Sequence, residues 1–78
     1  MKAKVYVTYK PGVLDPQGQT VCQTLRDRGQ RAVKDVRIGK YIEFDLEEMP
    51  QDQAKALLTK ISDELLANPI IESYRVEI

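Results

Sequence analysis

The sequence predicts an α+β fold: a two-layer sandwich of β-α-β(β)-α-β order, with two helices on one face of a mainly antiparallel, dimer-forming sheet. Three observations lead there. Apolar and polar residues alternate over Lys2–Lys10, over Val36–Leu46 and over Tyr74–Ile78, the period of half-buried strands. Between them lie two stretches, Pro16–Arg28 and Pro50–Leu65, whose apolar residues recur at helical spacing. And 78 residues allow one domain, 1–78, so all of these elements must share one small core.

The first strand sends Ala3, Val5, Val7 and Tyr9 one way and Lys2, Lys4, Tyr6, Thr8 and Lys10 the other. The segment that follows, Lys10 to Gly18, places two prolines and two glycines between strand and helix, more constraint than a simple connection needs. Pro11-Gly12 suits a turn in which Gly takes φ > 0; Asp15 suits an N-cap, and Pro16 the first helical position, where its missing N–H costs nothing. A loop so closely specified either holds its shape for a partner or is a well-made strand-to-helix turn. In the first helix Val21, Cys22 and Leu25 form a narrow stripe, and Gly29 is placed to end it. So thin a stripe covers the sheet lightly or finishes its burial against another chain.

In the second β segment Val36, Ile38, Ile42, Phe44 and Leu46 share one parity around Gly39-Lys40. A two-residue hairpin would turn half of them outward. Two solutions keep them inward: a three-residue turn over Gly39-Lys40-Tyr41, pairing Ile38 with Ile42 and Val36 with Phe44, or one long strand bent at Gly39 that overhangs the domain and pairs with a second copy. The second helix begins at Met49-Pro50 and presents Ala54, Leu57, Leu58, Ile61 and Leu65 inward. Asn68-Pro69 stops it, Asn through its tolerance of the left-handed region. The last strand turns Tyr74, Val76 and Ile78 in, and leaves Ile71 outward beside Tyr6 as a candidate subunit contact.

Chemistry is sparse. With no His and one Cys, the chain has no triad, no imidazole base and no zinc set, and Gly12 and Gly18 lack phosphate-loop spacing. Glu43, Asp45, Glu47 and Glu48 read as a solvated face. Twelve basic and twelve acidic residues leave no net charge, which argues against nucleic acid as partner. No apolar run reaches transmembrane length, and the single Cys and lack of a secretory apolar region point to a cytoplasmic setting. Lys10, Arg37 and Lys40 fall close to the two turns, and their convergence there is a candidate anion- or partner-facing patch. The alternative is ordinary surface cations.

Three stretches, Lys10–Gly18, Val36-Arg37-Ile38-Gly39-Lys40 and Leu65-Leu66-Ala67-Asn68-Pro69-Ile70-Ile71-Glu72, occur in the order and spacing of the PurS family, and the chain resembles that family over essentially its whole length. The family is the small subunit of phosphoribosylformylglycinamidine synthase in de novo purine synthesis. The resemblance implies a homodimer, or a larger assembly, without catalytic residues, cofactor or metal of its own. It would join a glutaminase subunit to a synthetase subunit that uses ATP and Mg²⁺, and help ammonia reach the synthetase as formylglycinamide ribonucleotide becomes formylglycinamidine ribonucleotide. On the same footing Lys10, Pro11, Gly12, Asp15, Pro16 and Gly18 shape a docking loop, Arg37, Gly39 and Lys40 a second contact, and Asn68-Pro69 a third. The competing reading is a small amino-acid-sensing module that binds a metabolite at a dimer interface.

Overall fold

The computed structural model describes residues 1–78. β1 (Lys2–Tyr9) lies at the centre of a three-stranded sheet, with β2 (Lys40–Asp45) on one side and β3 (Glu72–Glu77) on the other, both antiparallel to it. The register sets Val5 between Ile42 and Val76, and Tyr6 between Tyr41 and Arg75. Each strand therefore turns one parity inward, as the alternation requires. Helix α1 (Pro16–Asp27) joins β1 to β2, and helix α2 (Gln51–Ile61) joins β2 to β3.

The core is small. Ala3, Val5 and Val7 of β1 pack against Leu58 of α2 and against Ala67, with Ile42, Phe44, Leu46, Tyr74 and Val76 half-buried around them. Burying one large apolar side chain contributes about 1.5–3 kcal/mol, and only Val5, Val7 and Leu58 among such residues are fully buried. No residue of α1 belongs to this core. The predicted class and element order hold, and the refinement is where α1 sits. Its thin stripe is spent on the segment that follows it rather than on the sheet: Cys22 faces the Val33 carbonyl, and the Arg26 guanidinium donates to the same oxygen at 3.3 Å. Together α1 and residues 30–39 form an arm standing off the sheet.

The arm gives the chain its shape. It measures 50 × 24 × 15 Å with a radius of gyration of 15.9 Å, where a compact chain of this length would have about 11.5 Å.

The three-residue turn over Gly39-Lys40-Tyr41 does not form. β2 begins at Lys40 directly beside Val7, and residues 33–39 lead into it without a strand partner in the chain. Gly39 permits this entry, because a Cβ there would stand 2.4 Å from the Val7 carbonyl oxygen. The course resembles the second of the two sequence solutions, a chain continuing through Gly39.

Helix α2 runs on into a π-helical turn, Ser62–Leu66, closed by a bond from the Ala67 amide to the Ser62 carbonyl at 3.0 Å. A π turn inserts one residue into the helical period. Leu65, which the 3.6-residue pattern places inward, is consequently 80% exposed, while Leu66 and Ala67 take the inward positions. The inserted turn also sets the direction in which the chain leaves for β3. No helix is long and apolar enough to cross a membrane.

Candidate functional site

Two anchored turns stand at the ends of the connections, and the sequence-predicted residues divide between them. The first is built on Asp15. Lys10-Pro11-Gly12-Val13 closes a turn with the Val13 amide on the Lys10 carbonyl at 3.1 Å, and Gly12 takes φ +84°, which a side chain would disfavour. Asp15 then caps α1: one carboxylate oxygen accepts from the Gly18 amide at 2.9 Å, with Pro16 in the first helical position. The other oxygen accepts from the Ile38 amide at 2.8 Å, across 23 residues. One buried side chain thus caps the helix and holds the lead into β2.

The electrostatics follow from this geometry. The Ile38 amide, then the Gly18 amide, and further the Arg37 guanidinium, hold the Asp15 carboxyl below its ordinary value of 3.8. Gly18 lies so close to the Val36 carbonyl that a Cβ would come within 2.1 Å of it. Its role is close approach of two backbones. At the far end of α1 the Gln30 amide reaches the Leu25 carbonyl and the Gly29 amide the Arg26 carbonyl, with Gly29 at φ +92°: a Schellman closure, as predicted.

The second turn is built on Asn68. Its side-chain oxygen accepts from the Ile70 amide at 3.0 Å, its carbonyl from the Ile71 and Glu72 amides, and its own amide donates to the Glu72 carboxylate at 2.8 Å. No non-glycine residue has positive φ, so Asn68 ends the helix through these bonds and not through the left-handed region, a correction to the sequence reading. Lys10 fastens this turn to β1: its amide donates to the Ile71 carbonyl and its ammonium to the Pro69 carbonyl at 2.7 Å.

The predicted cation patch is therefore divided. Lys10 is drawn to the β3 side, Arg37 stands by Asp15, and Lys40 opens β2 opposite Val7 on the other edge. Ile71 is also relocated: it faces Lys10 just before β3, and the residues flanking Tyr6 are Tyr41 and Arg75. Of the predicted contacts, Pro11, Gly12, Pro16, Arg37, Gly39, Lys40, Asn68 and Pro69 are exposed, whereas Asp15 and Gly18 are buried and act within the chain.

Sequence reasoning missed three features. Glu72 caps Asn68; the signal available was an acidic residue four positions after a loop Asn. Ser62 is fully buried with an unpartnered hydroxyl at the start of the π turn, which no local pattern announces. On the outer sheet face the Arg75 guanidinium lies 4.5 Å over the Tyr6 ring, and Tyr41 sits 5.3 Å from that ring, an arrangement only the strand register creates.

Fold and site together define a class: a small α+β domain with its connections locked by side chain-to-backbone bonds and its exposed loop residues available to another surface. The chain belongs to the PurS family, described as phosphoribosylformylglycinamidine (FGAM) synthase, whose model matches residues 2–78. It is similar to the phosphoribosylformylglycinamidine synthase subunit PurS of Bacillus subtilis, with 46% identity over 77 residues, 99% of this chain and 90% of that one. Among solved structures it resembles Methanocaldococcus jannaschii PurS (36% identity, TM-score 0.88, covering 97% of this chain and 92% of that one). It also resembles a chain in the structure of PurLQS from Thermotoga maritima (36% identity, TM-score 0.86, covering 97% and 93%).

Proposed function

We propose that residues 1–78 act as one unit, the PurS subunit of a phosphoribosylformylglycinamidine synthase, and that the chain works in the cytoplasm as a homodimer bridging the glutaminase and ATP-using synthetase subunits. The observation that carries this reading is the family match across residues 2–78. In M. jannaschii the relative is one of the subunits of formylglycinamide ribonucleotide amidotransferase in the purine biosynthetic pathway, and in T. maritima a relative occurs in PurLQS. The whole complex is a carbon-nitrogen ligase, and this chain contributes no catalytic residue, cofactor or metal. ATP and Mg²⁺ belong to the synthetase. Ammonia released from glutamine has to reach that subunit before bulk water protonates it, and a rigid adaptor shortens and shields its path.

Rigidity is what the two anchored turns supply. Asp15 and Gly18 fix the lead into β2 from within, so that Arg37, Gly39 and Lys40 are presented in one conformation. Lys10 fixes Asn68-Pro69 in the same way. Pre-ordered loops lose less entropy on docking than flexible ones. The test is co-elution in light-scattering chromatography with the matching glutaminase and synthetase subunits, in glutamine, ADP and Mg²⁺. A ternary complex that needs this chain supports the proposal. Separate elution, with a thermal shift on adding amino acids, would favour the metabolite-sensing reading instead.

A further inference from the structure

We infer that the π turn after α2 holds Leu65 outward as one half of an apolar anchor, with Ile70 as the other half, and that this anchor docks in an apolar cleft with a basic edge on another subunit of the synthase. It rests on the bridging role proposed above, in which neither residue has a part.

Leu65 and Ile70 are 80% and 81% exposed, more than any other large apolar side chain of the protein. Single exposed apolar residues are ordinary, but these two flank one turn of a chain whose core is short of large side chains. A continuous α-helix would turn Leu65 into that core. The π turn does the opposite, and it leaves Ser62 at its start fully buried with an unpartnered hydroxyl, which lowers stability. Such turns are rare and concentrate at functional sites. The anchor is also rigid. Between its two residues the Ala67 amide closes on the Ser62 carbonyl, the Asn68 side chain accepts from the Ile70 amide, and the Lys10 ammonium holds the Pro69 carbonyl. Side chains carried on a turn already ordered lose less entropy on binding.

Charge around the anchor names its occupant. Residues 41–78 carry nine acidic and three basic side chains. Beside Pro69 lies an open hollow of about 270 Å³, with Asp63, Glu72, Ser73 and Tyr74 in its lining. It is smaller than the roughly 300–1,000 Å³ of a small-molecule site and suits a single side chain. Lys10 also lines it, but its ammonium is engaged with the Pro69 carbonyl at 2.7 Å. One Glu72 oxygen accepts from the Asn68 amide at 2.8 Å, and the other has no partner in the chain. A Lys or Arg of the partner enters this hollow while Leu65 and Ile70 enter its apolar cleft, an apolar centre with a charged rim. A second copy does not fit. A two-fold contact apposes the same patch on both copies, and here it would bring Asp63, Glu64 and Glu72 against their own counterparts.

The double variant Leu65→Ala/Ile70→Ala tests the anchor. Its binding to the glutaminase and synthetase subunits is read by titration calorimetry and light-scattering chromatography, beside thermal unfolding and mass of the chain alone. The expected result is a Tm within about 4 °C of the parent, since both side chains are exposed, an unchanged mass for the chain alone, and a complex weakened about thirtyfold or more, as loss of buried anchors at an interface does. Asp63→Asn/Glu72→Gln, which keeps the acceptors and removes the charges, should weaken the complex by a smaller factor and flatten its dependence on salt. Undiminished affinity of the double alanine variant would overturn the anchor. A larger thermal shift would overturn it by placing these side chains in the core, and a change in the mass of the chain alone would overturn it by making a second copy the occupant. Unchanged salt dependence would overturn the basic edge. If the parent chain itself enters no complex, the bridging role fails and this surface with it, an outcome told from the others by the parent alone.

Discussion

The sheet with α2 and the arm with α1 are held by different physics. The sheet half is held by burial: Val5, Val7, Ala54 and Leu58 are almost wholly withdrawn from solvent and are replaceable in kind by groups of the same volume. In the arm α1 buries one residue, Gly18, and the arm is held by directional bonds: two to the Asp15 carboxylate, a close backbone contact at Gly18 and a Schellman closure at Gly29. Burial resists changes of volume, whereas directional capture resists changes of geometry. A surface that must meet another protein in one orientation is better served by the second.

The largest effect that would break this contrast is in the core. Leu58→Ala should destabilise the chain by about 2–5 kcal/mol, which for a domain whose own core supplies roughly 3–5 kcal/mol leaves a substantial unfolded population. Val21→Ala, on the arm, should cost less than about 0.5 kcal/mol in the isolated chain, as exposed substitutions do. Urea unfolding followed by circular dichroism reads both. Equal losses would mean that α1 belongs to the core after all.

Gly18→Ala inverts the pattern, since adding a methyl group removes no buried surface. The new Cβ would meet the Val36 carbonyl at 2.1 Å and an Asp15 carboxylate oxygen at 2.9 Å, so the lead into β2 must move. Overpacking of this kind costs about 1–3 kcal/mol. The expected signature is local: the Ile38 amide loses hydrogen-exchange protection while amides of the β1–β3 ladder keep theirs.

How much of this was legible follows the same division. Features set by nearest neighbours in sequence could be read: the alternation of β1, the Asp15 cap with Pro16, the turn at Gly12 and the closure at Gly29. Asp15's second bond, to Ile38, could not, because nothing local marks an amide 23 residues away as the acceptor's partner. The choice at Gly39 was equally closed to a reading by parity, since the hairpin and the continuing chain bury the same residues. Asn68 was assigned the right position and the wrong mechanism. The helical period failed at Leu57, read as inward but 38% exposed, and at the π turn, where a single inserted residue exchanged the fates of Leu65 and Leu66.

That exchange gives a smaller test. Leu66→Ala should cost about 1–2 kcal/mol and Leu65→Ala less than about 0.5 kcal/mol, although a continuous α-helix would rank them the other way. Thermal unfolding of the two variants side by side decides it. If Leu65→Ala is the more damaging, Leu65 lies inside and the π turn is wrong.

The smallest effects lie at the ends of the pH scale, and they separate the two halves without changing packing. In the arm the Ile38 and Gly18 amides and Arg37 favour the ionised Asp15, so its folded-state value lies below 3.8. Its contribution is therefore complete above the unfolded-state value and is lost as pH falls through the folded one. In the sheet half the Asp63 carboxylate beside the Tyr74 hydroxyl, with burial, raises that tyrosine above 10.0. Here the contribution is complete below the unfolded-state value and is lost as pH rises through the folded one. Acid should therefore release the arm first and alkali should loosen the sheet. Asp15→Asn should flatten the acid limb of stability against pH, with no change in the alkaline limb, and Asp63→Asn should lower the spectrophotometric titration of Tyr74 toward 10.0 while leaving the acid limb intact. A single variant that moved both limbs would mean that arm and sheet unfold as one unit, and the contrast between them would fail.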